Sequence, residues 1–151
     1  MQIVDFRPEL APAFQALNEA WITQLFALEA KDREVLGDPQ GKIIDKGGQV
    51  IFVADEAEVV GCVALMALAD GGFEVAKMAV ADSHKGRGLG RALMAACVER
   101  ARASGAPRLY LETNSALAPA LALYRSFGFH RIEPAEPSPY ARADVVMELT
   151  L

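Results

Sequence analysis

Cysteine is nearly absent from this sequence: Cys62 and Cys97 are the only two in 151 residues, and neither has a histidine close by in the chain. A disulfide framework and a zinc site of closely spaced ligands are therefore excluded, and no metal is expected. Both cysteines read as small buried hydrophobes in a reducing cytoplasm. No run of about 18 apolar residues is present, so no membrane span is expected. The start of the chain, Met1-Gln2-Ile3-Val4-Asp5, lacks the basic and apolar blocks of a secretory leader. An excess of positive charge is missing too. The formal net charge is −5, which argues against non-specific nucleic-acid binding and suits a cationic substrate.

What is present is enough for one domain over residues 1–151, with a core that needs no staple. There is no internal repeat, linker or low-complexity tract. Residues 2–6 read as a first strand. Pro8 opens a helix, in which Phe14, Leu17, Trp21 and Leu25 recur at helical spacing and define the expected buried face. A short second helix falls near residues 32–36 and ends by Gly37 and Pro39. Residues 50–55 and 59–68 form a hairpin around Glu56-Ala57-Glu58, and Asp70-Gly71-Gly72 leads into a third strand over 73–80.

The pattern then changes. A glycine-rich loop over 83–90 opens a helix to about Ser104, striped by Leu89, Leu93, Ala96, Cys97 and Arg100 and closed by Gly105. A strand over 108–113 follows. It must run parallel to the strand before the loop, because a helix crosses between them. A last helix spans about 117–127 and stops at Gly128, before closing strands near 129–132 and 144–149. The order β-α-α-β-β-β-α-β-α-β-β predicts an α/β (α+β) domain with a mixed sheet.

Strand, glycine-rich loop and helix make a general anion device. The glycines let a ligand approach the backbone, and the helix start offers unpaired N–H groups with partial positive charge. His84, Lys85, Arg87 and Arg91 lie here with no acid among them, a local basic patch on an acidic chain. A P-loop needs Lys-Ser or Lys-Thr after its last glycine, whereas Gly90 is followed by Arg91-Ala92. A dinucleotide fingerprint needs a glycine or alanine where Arg91 stands, and an antiparallel meander does not precede that motif.

Lys85-Gly86-Arg87-Gly88-Leu89-Gly90 instead resembles the acetyl-CoA pyrophosphate motif of the GNAT superfamily of N-acetyltransferases, with lysine where arginine or glutamine is usual. A second block strengthens the likeness: Asn114 followed by Ala120-Leu121-Ala122-Leu123-Tyr124-Arg125-Ser126-Phe127-Gly128-Phe129 is similar to the family's Asn…Ala-x-x-Leu-Tyr-x-x-x-Gly-Phe. The resemblance covers residues 50–133. Residues 1–45 and the proline-rich late loop share only the order of elements.

The resemblance implies a mostly antiparallel central sheet flanked by helices, and acetyl transfer from acetyl-CoA to a primary amine by direct attack in a ternary complex. It implies that the backbone from Lys85 to Arg91 holds the pyrophosphate, and that strands 73–80 and 108–113 splay. Met78 and Val80 then present backbone groups to the pantetheine arm, the Val80 N–H polarises the thioester carbonyl, and Asn114 binds the arm. Tyr124 becomes the general acid. Glu74, in Glu-x-x-x-Met-x-Val, is the leading general base, and strand alternation places it on the face of Met78 and Val80. Glu112 and a water chain are the alternatives. The acceptor side falls to Trp21, Phe26, Glu29, Lys31 and Asp32 early, and to Tyr140 and Arg142 late as a lid that could hold a carboxylate. A small-molecule amine is the expected acceptor. A peptide amine and a non-catalytic acyl-CoA-binding module on the same fold are the competing readings. The family analogy extends to a homodimer built through the late strands.

Overall fold

The computed structural model describes residues 1–134 and 136–151. Seven strands form one sheet in the order β1-β2-β3-β4-β5-β7-β6. They are β1 (Gln2–Asp5), β2 (Gln49–Asp55), β3 (Glu58–Ala67), β4 (Phe73–Val80), β5 (Arg108–Thr113), β6 (His130–Arg131) and β7 (Val145–Thr150). Four α-helices accompany them: α1 (Ala11–Leu25), α2 (Ala30–Gly37), α3 (Leu89–Ala103) and α4 (Ala118–Ser126). The expected order of elements holds, and the ends of β4 and β5 fall where the sequence put them. A π-helical turn over Gln40–Ile44 is an addition.

Each face of the sheet carries its own core. Ile51, Val63, Leu65, Leu109 and Met147 pack under α3 through Leu93, Met94 and Cys97, and under α4 through Leu121. On the opposite face, Phe52, Cys62 and Ala64 pack against Phe14 and Ile22 of α1 and Val35 and Leu36 of α2. Both cysteines are free and buried, as composition implied.

The buried face of α1 differs from the expected stripe. Phe14, Asn18 and Ile22 are fully buried, Leu17 and Trp21 sit at the margin, and Leu25 is 64% exposed. The stripe is rotated by one position because Asn18 belongs to it. Its amide is satisfied internally: Nδ2 donates to the Phe14 carbonyl at 3.0 Å and to Cys62 Sγ at 3.4 Å, and Oδ1 accepts from Trp21 Nε1 at 3.2 Å. A buried amide with its hydrogen bonds made is tolerated in a core.

Two irregularities in β4 position everything that follows. The first is its pairing with β5, which is parallel as expected but extends only over Phe73↔Leu109 and Glu74↔Tyr110. Beyond those pairs the two strands diverge. The second is a bulge against β3: Cys62 pairs with Ala79 and Ala64 with Ala76, so β4 carries an extra residue between them. Lys77 sits in that bulge with φ +56°, a left-handed backbone rare for a residue with a side chain.

Candidate acetyl-transfer site

A cleft of about 320 Å³ opens where β4 and β5 part. Lys85, Leu117, Ala120 and Tyr124 line it on the α3/α4 side. Trp21, Phe26, Glu74, Lys77, Glu112, Tyr140 and Arg142 line it on the α1/α2 side, and Met78, Val80 and Asn114 lie at the parting itself.

The glycine loop meets the cleft at the start of α3. Gly86 and Gly88 both have φ +79°, where a side chain would be strained. A Cβ at either would meet no protein atom within 4 Å, so the loop surface is open. Gly88 occupies the N-cap position of α3, and no side chain caps that helix. The first-turn N–H groups and the helix dipole are therefore available to an anion. An open, glycine-lined helix start beside a strand gap fits a pyrophosphate followed by an extended arm, so the residues present fit acetyl-CoA.

The basic patch at the loop is less uniform than the sequence suggests. His84 is buried, with Nε2 2.9 Å from Asp55 Oδ2 and Nδ1 2.7 Å from Ser83 Oγ. It ties the loop to the end of β2 instead of facing an anion. Lys85 Nζ lies 2.8 Å from Asp82, and the Arg91 guanidinium stacks over Phe127 at 5.4 Å. His84→Ala should loosen the loop. A hydrogen bond is worth about 0.5–1.5 kcal/mol net, so the KM for acetyl-CoA is expected to rise roughly 3- to 10-fold with kcat little changed. Steady-state kinetics with varied acetyl-CoA checks this; an unchanged KM removes the clamp.

Along β4, the Ala81 N–H donates to the Val60 carbonyl at 2.8 Å, toward β3. Alternation along the strand turns the Val80 and Met78 N–H groups the other way, into the gap on the β5 side. No ladder partner from β5 meets them, because pairing with β5 stops at Glu74.

The bulge corrects one expectation. Phe73 and Val75 pack in the α3-side core, and so do Met78 and Val80, while Ala79 packs in the α1-side core. The extra residue at Lys77 switches the alternation, so Glu74 faces the α1/α2 side, opposite to Met78 and Val80. Strand periodicity alone cannot reveal this, because one inserted residue exchanges the faces. The single lysine in Phe73-Glu-Val-Ala-Lys-Met-Ala-Val80 was the available signal, and Lys77 was missed as a site residue.

Glu74 therefore faces the same side as Glu112 of β5. Burial pushes its carboxyl up to about 7, and the nearby Glu112 charge adds to the effect. No hydrogen bond holds Glu74 among the described residues. Glu112 is held firmly: Tyr110 Oη donates to it at 2.8 Å and Ser138 Oγ at 2.6 Å. The two carboxylates thus have different surroundings: Glu74 is buried and makes no hydrogen bond among the described residues, whereas Glu112 is held by two hydroxyls.

Tyr124 projects from α4, its ring 6.1 Å from that of Phe129. Burial pushes its phenol up to about 12, and its hydroxyl makes no hydrogen bond among the described residues. Asn114 lines the cleft, but its side chain is engaged. Nδ2 donates to the Arg142 carbonyl at 2.7 Å, and Oδ1 accepts from the Ala116 N–H at 2.8 Å.

The late loop is pinned over the acceptor side by a buried ionic cluster. Asp32 is fully buried. Arg142 grips it with two hydrogen bonds of 2.7 Å, and Lys77 Nζ donates to it at 2.7 Å. Burial alone would raise this carboxyl, but the bonds from Arg142 and Lys77 overcome it and hold Asp32 well below the usual range. Tyr140 completes the cluster: its hydroxyl lies 3.0 Å from Lys77 Nζ, and its ring lies under both Lys77 and Arg142. Glu29 accepts from the Ala141 N–H at 3.0 Å and meets Arg142 at 3.4 Å, so it anchors the loop. Arg142 already holds a carboxylate, that of Asp32. Trp21 lies partly buried at the cleft wall, edge-to-face with Phe26 at 6.4 Å. Lys31 pairs with Glu34 at 3.7 Å on the outer side of α2.

A mixed sheet split between two parallel strands, with an open glycine loop at the helix after the split, is the architecture that the resemblance to N-acetyltransferases implied. The family model described as Acetyltransferase (GNAT) family matches residues 7–129. This chain belongs to the GNAT family. It is 33% identical over 96 residues to the uncharacterized N-acetyltransferase YjgM of Escherichia coli (strain K12), covering 64% of this chain and 50% of that protein. The chain thus spans about half the length of this relative. Among solved structures, a GNAT-family acetyltransferase from Staphylococcus aureus MU50 superposes with a TM-score of 0.88 at 15% identity, over 99% of this chain and 98% of the other. The yncA protein of Salmonella typhimurium, determined with its cofactor acetyl-CoA, superposes with a TM-score of 0.76 at 21% identity, over 99% of this chain and 93% of the other.

Proposed function

We propose that this protein transfers an acetyl group from acetyl-CoA to the primary amine of a small molecule, by direct attack with both substrates bound. The observation that carries the reading is a cleft through the sheet gap, which has Tyr124 on one face and Glu74 on the other. A proton donor and a proton acceptor thereby address one reacting centre from opposite sides.

Acetyl-CoA supplies the acetyl thioester. The open backbone at Gly86, Gly88 and the first turn of α3 binds the pyrophosphate. The Met78 and Val80 backbone groups in the gap align the arm in place of a strand, and the Val80 N–H is the oxyanion donor. Asn114 supports the arm's surroundings through its bonds to the Arg142 and Ala116 backbone. An alkylamine has a pKa of about 10.4 and is mostly protonated at neutral pH, so its proton must be removed before attack. Glu74, raised to about 7, is matched to that task, since a general base works best near the operating pH. Glu112, held in place by Tyr110 and Ser138, lines the acceptor side on the same face as Glu74. The C–N bond forms as the C–S bond breaks, the proton that the nitrogen then sheds passes to the departing thiolate, and the Tyr124 hydroxyl donates a hydrogen bond to that sulfur.

Calorimetric titration tests the loop reading. Acetyl-CoA and CoA are expected to bind with similar affinity and NAD not to bind. Binding of NAD alone, or of none of the three, would overturn it.

A further inference from the structure

We infer that the acceptor is an amine on an apolar, aromatic body that carries no carboxylate. This rests on the amine-acetyltransferase reading and narrows its substrate class. The observation behind it is that every cation lining the cleft, among the described residues, already has an acid partner, whereas Glu74 makes no ion pair.

Lys77 and Arg142 are the two cations on the acceptor side. Both are bound to Asp32, and Arg142 also meets Glu29. Lys77 is 4% and Arg142 14% exposed at the side chain, so neither can turn toward a ligand without breaking the cluster. Breaking it would leave a buried charge uncompensated. Lys85, on the cofactor side, is paired with Asp82. An acceptor carboxylate entering this space therefore finds no free positive partner. It would also be placed beside Glu112 and Glu74, and like charges brought together without compensation oppose binding. An ammonium meets the reverse situation.

Part of the acceptor-side lining is apolar. Trp21 and Phe26 stand edge-to-face with ring planes at 89°, and both line the cleft. Such a corner accepts the ring of a third aromatic group and the face of a cation-bearing chain. Glu74 and the aromatic corner together favour a short arylalkylamine over an amino acid of the same ring.

The sequence contains one tryptophan, Trp21, so binding can be read without turnover. The experiment is a Trp21 fluorescence titration of the CoA-bound protein with 2-phenylethylamine and, separately, with phenylalanine. These differ by the carboxylate alone. The amine is expected to bind at least about 10-fold more tightly, and Glu112→Gln is expected to narrow that ratio by removing one of the two carboxylates. Equal affinities, tighter binding of phenylalanine, or no fluorescence response to either ligand would overturn the inference. A thiol-release assay over a broad set of amines separates this failure from that of the parent reading. Turnover with other amines leaves acetyl transfer standing and only the acceptor class wrong, whereas no turnover with any amine refutes acetyl transfer itself.

Discussion

Tyr124→Phe should lower kcat by about 10²-fold and leave acetyl-CoA affinity unchanged. A positioned proton donor contributes roughly 10²- to 10⁴-fold, and the surroundings of Tyr124 select the low end. Its phenol is held up at about 12 by burial alone, whereas a thiol titrates near 8.5. Full proton transfer to a thiolate is therefore uphill. The hydroxyl acts instead as a hydrogen-bond donor to charge that develops on sulfur, inside a region dry enough to strengthen that bond. Affinity is spared because the hydroxyl has no partner to lose and the ring keeps its packing against Phe129. Rapid-mixing kinetics with calorimetry on the same variant checks both halves. Undiminished kcat would show that the Tyr124 hydroxyl does not stabilise the departing sulfur.

Glu74→Gln is expected to trade activity for stability. Glutamine cannot accept the amine proton, so kcat should fall by roughly 10²-fold at neutral pH. The folded protein, however, should become more stable above pH 7. The Glu74 carboxyl sits at about 7 in the fold against 4.5 ordinarily, so the folded state binds this proton more tightly than the unfolded chain. A raised pKa gives stability that is present below the ordinary value and is lost as pH climbs to about 7. A tenfold difference in proton affinity between the two states is worth about 1.4 kcal/mol. The upper bound is then about 3 kcal/mol, relieved by glutamine at pH 8 and absent near pH 4. Chemical denaturation at the two pH values measures it. A variant that loses activity and gains nothing at pH 8 would show that Glu74 is solvated and not tuned. The same carboxyl predicts that kcat/KM in the wild type rises with pH through an apparent pKa near 7, and Glu112→Gln should move that limb down by removing the neighbouring charge.

These effects mark what the sequence could and could not convey. The elements proposed to hold the cofactor were legible because their signals are local. The glycines with positive φ, the helix they start and the Asn114 to Tyr124 block are all written in short contiguous stretches, and β4 and β5 ended where their turn residues placed them. The acceptor half is built by pairs far apart in the chain. Asp32 meets Lys77 and Arg142 only after folding, so their cluster has no spacing to read. Glu29, Tyr140 and Arg142 were identified as acceptor-side residues, yet the structure gives Glu29 and Arg142 to each other and Arg142 to Asp32 as well. The bulge at Lys77 was invisible to a period-two count and placed Glu74 on the other face. Asn18 displaced the expected stripe of α1 because a polar residue with its hydrogen bonds satisfied does not obey the hydrophobic pattern.

The central claim is that one gap in the sheet brings a thioester and an amine together under Glu74 and Tyr124. Its most direct test is free-thiol release from acetyl-CoA across a panel of primary amines between about pH 6 and 9, with the wild type and both variants. The expected result is amine-dependent thiol release that grows through an apparent pKa near 7 and is strongly reduced in each variant. Acetyl-CoA binding without thiol release for any amine, or release indifferent to both substitutions, would contradict it.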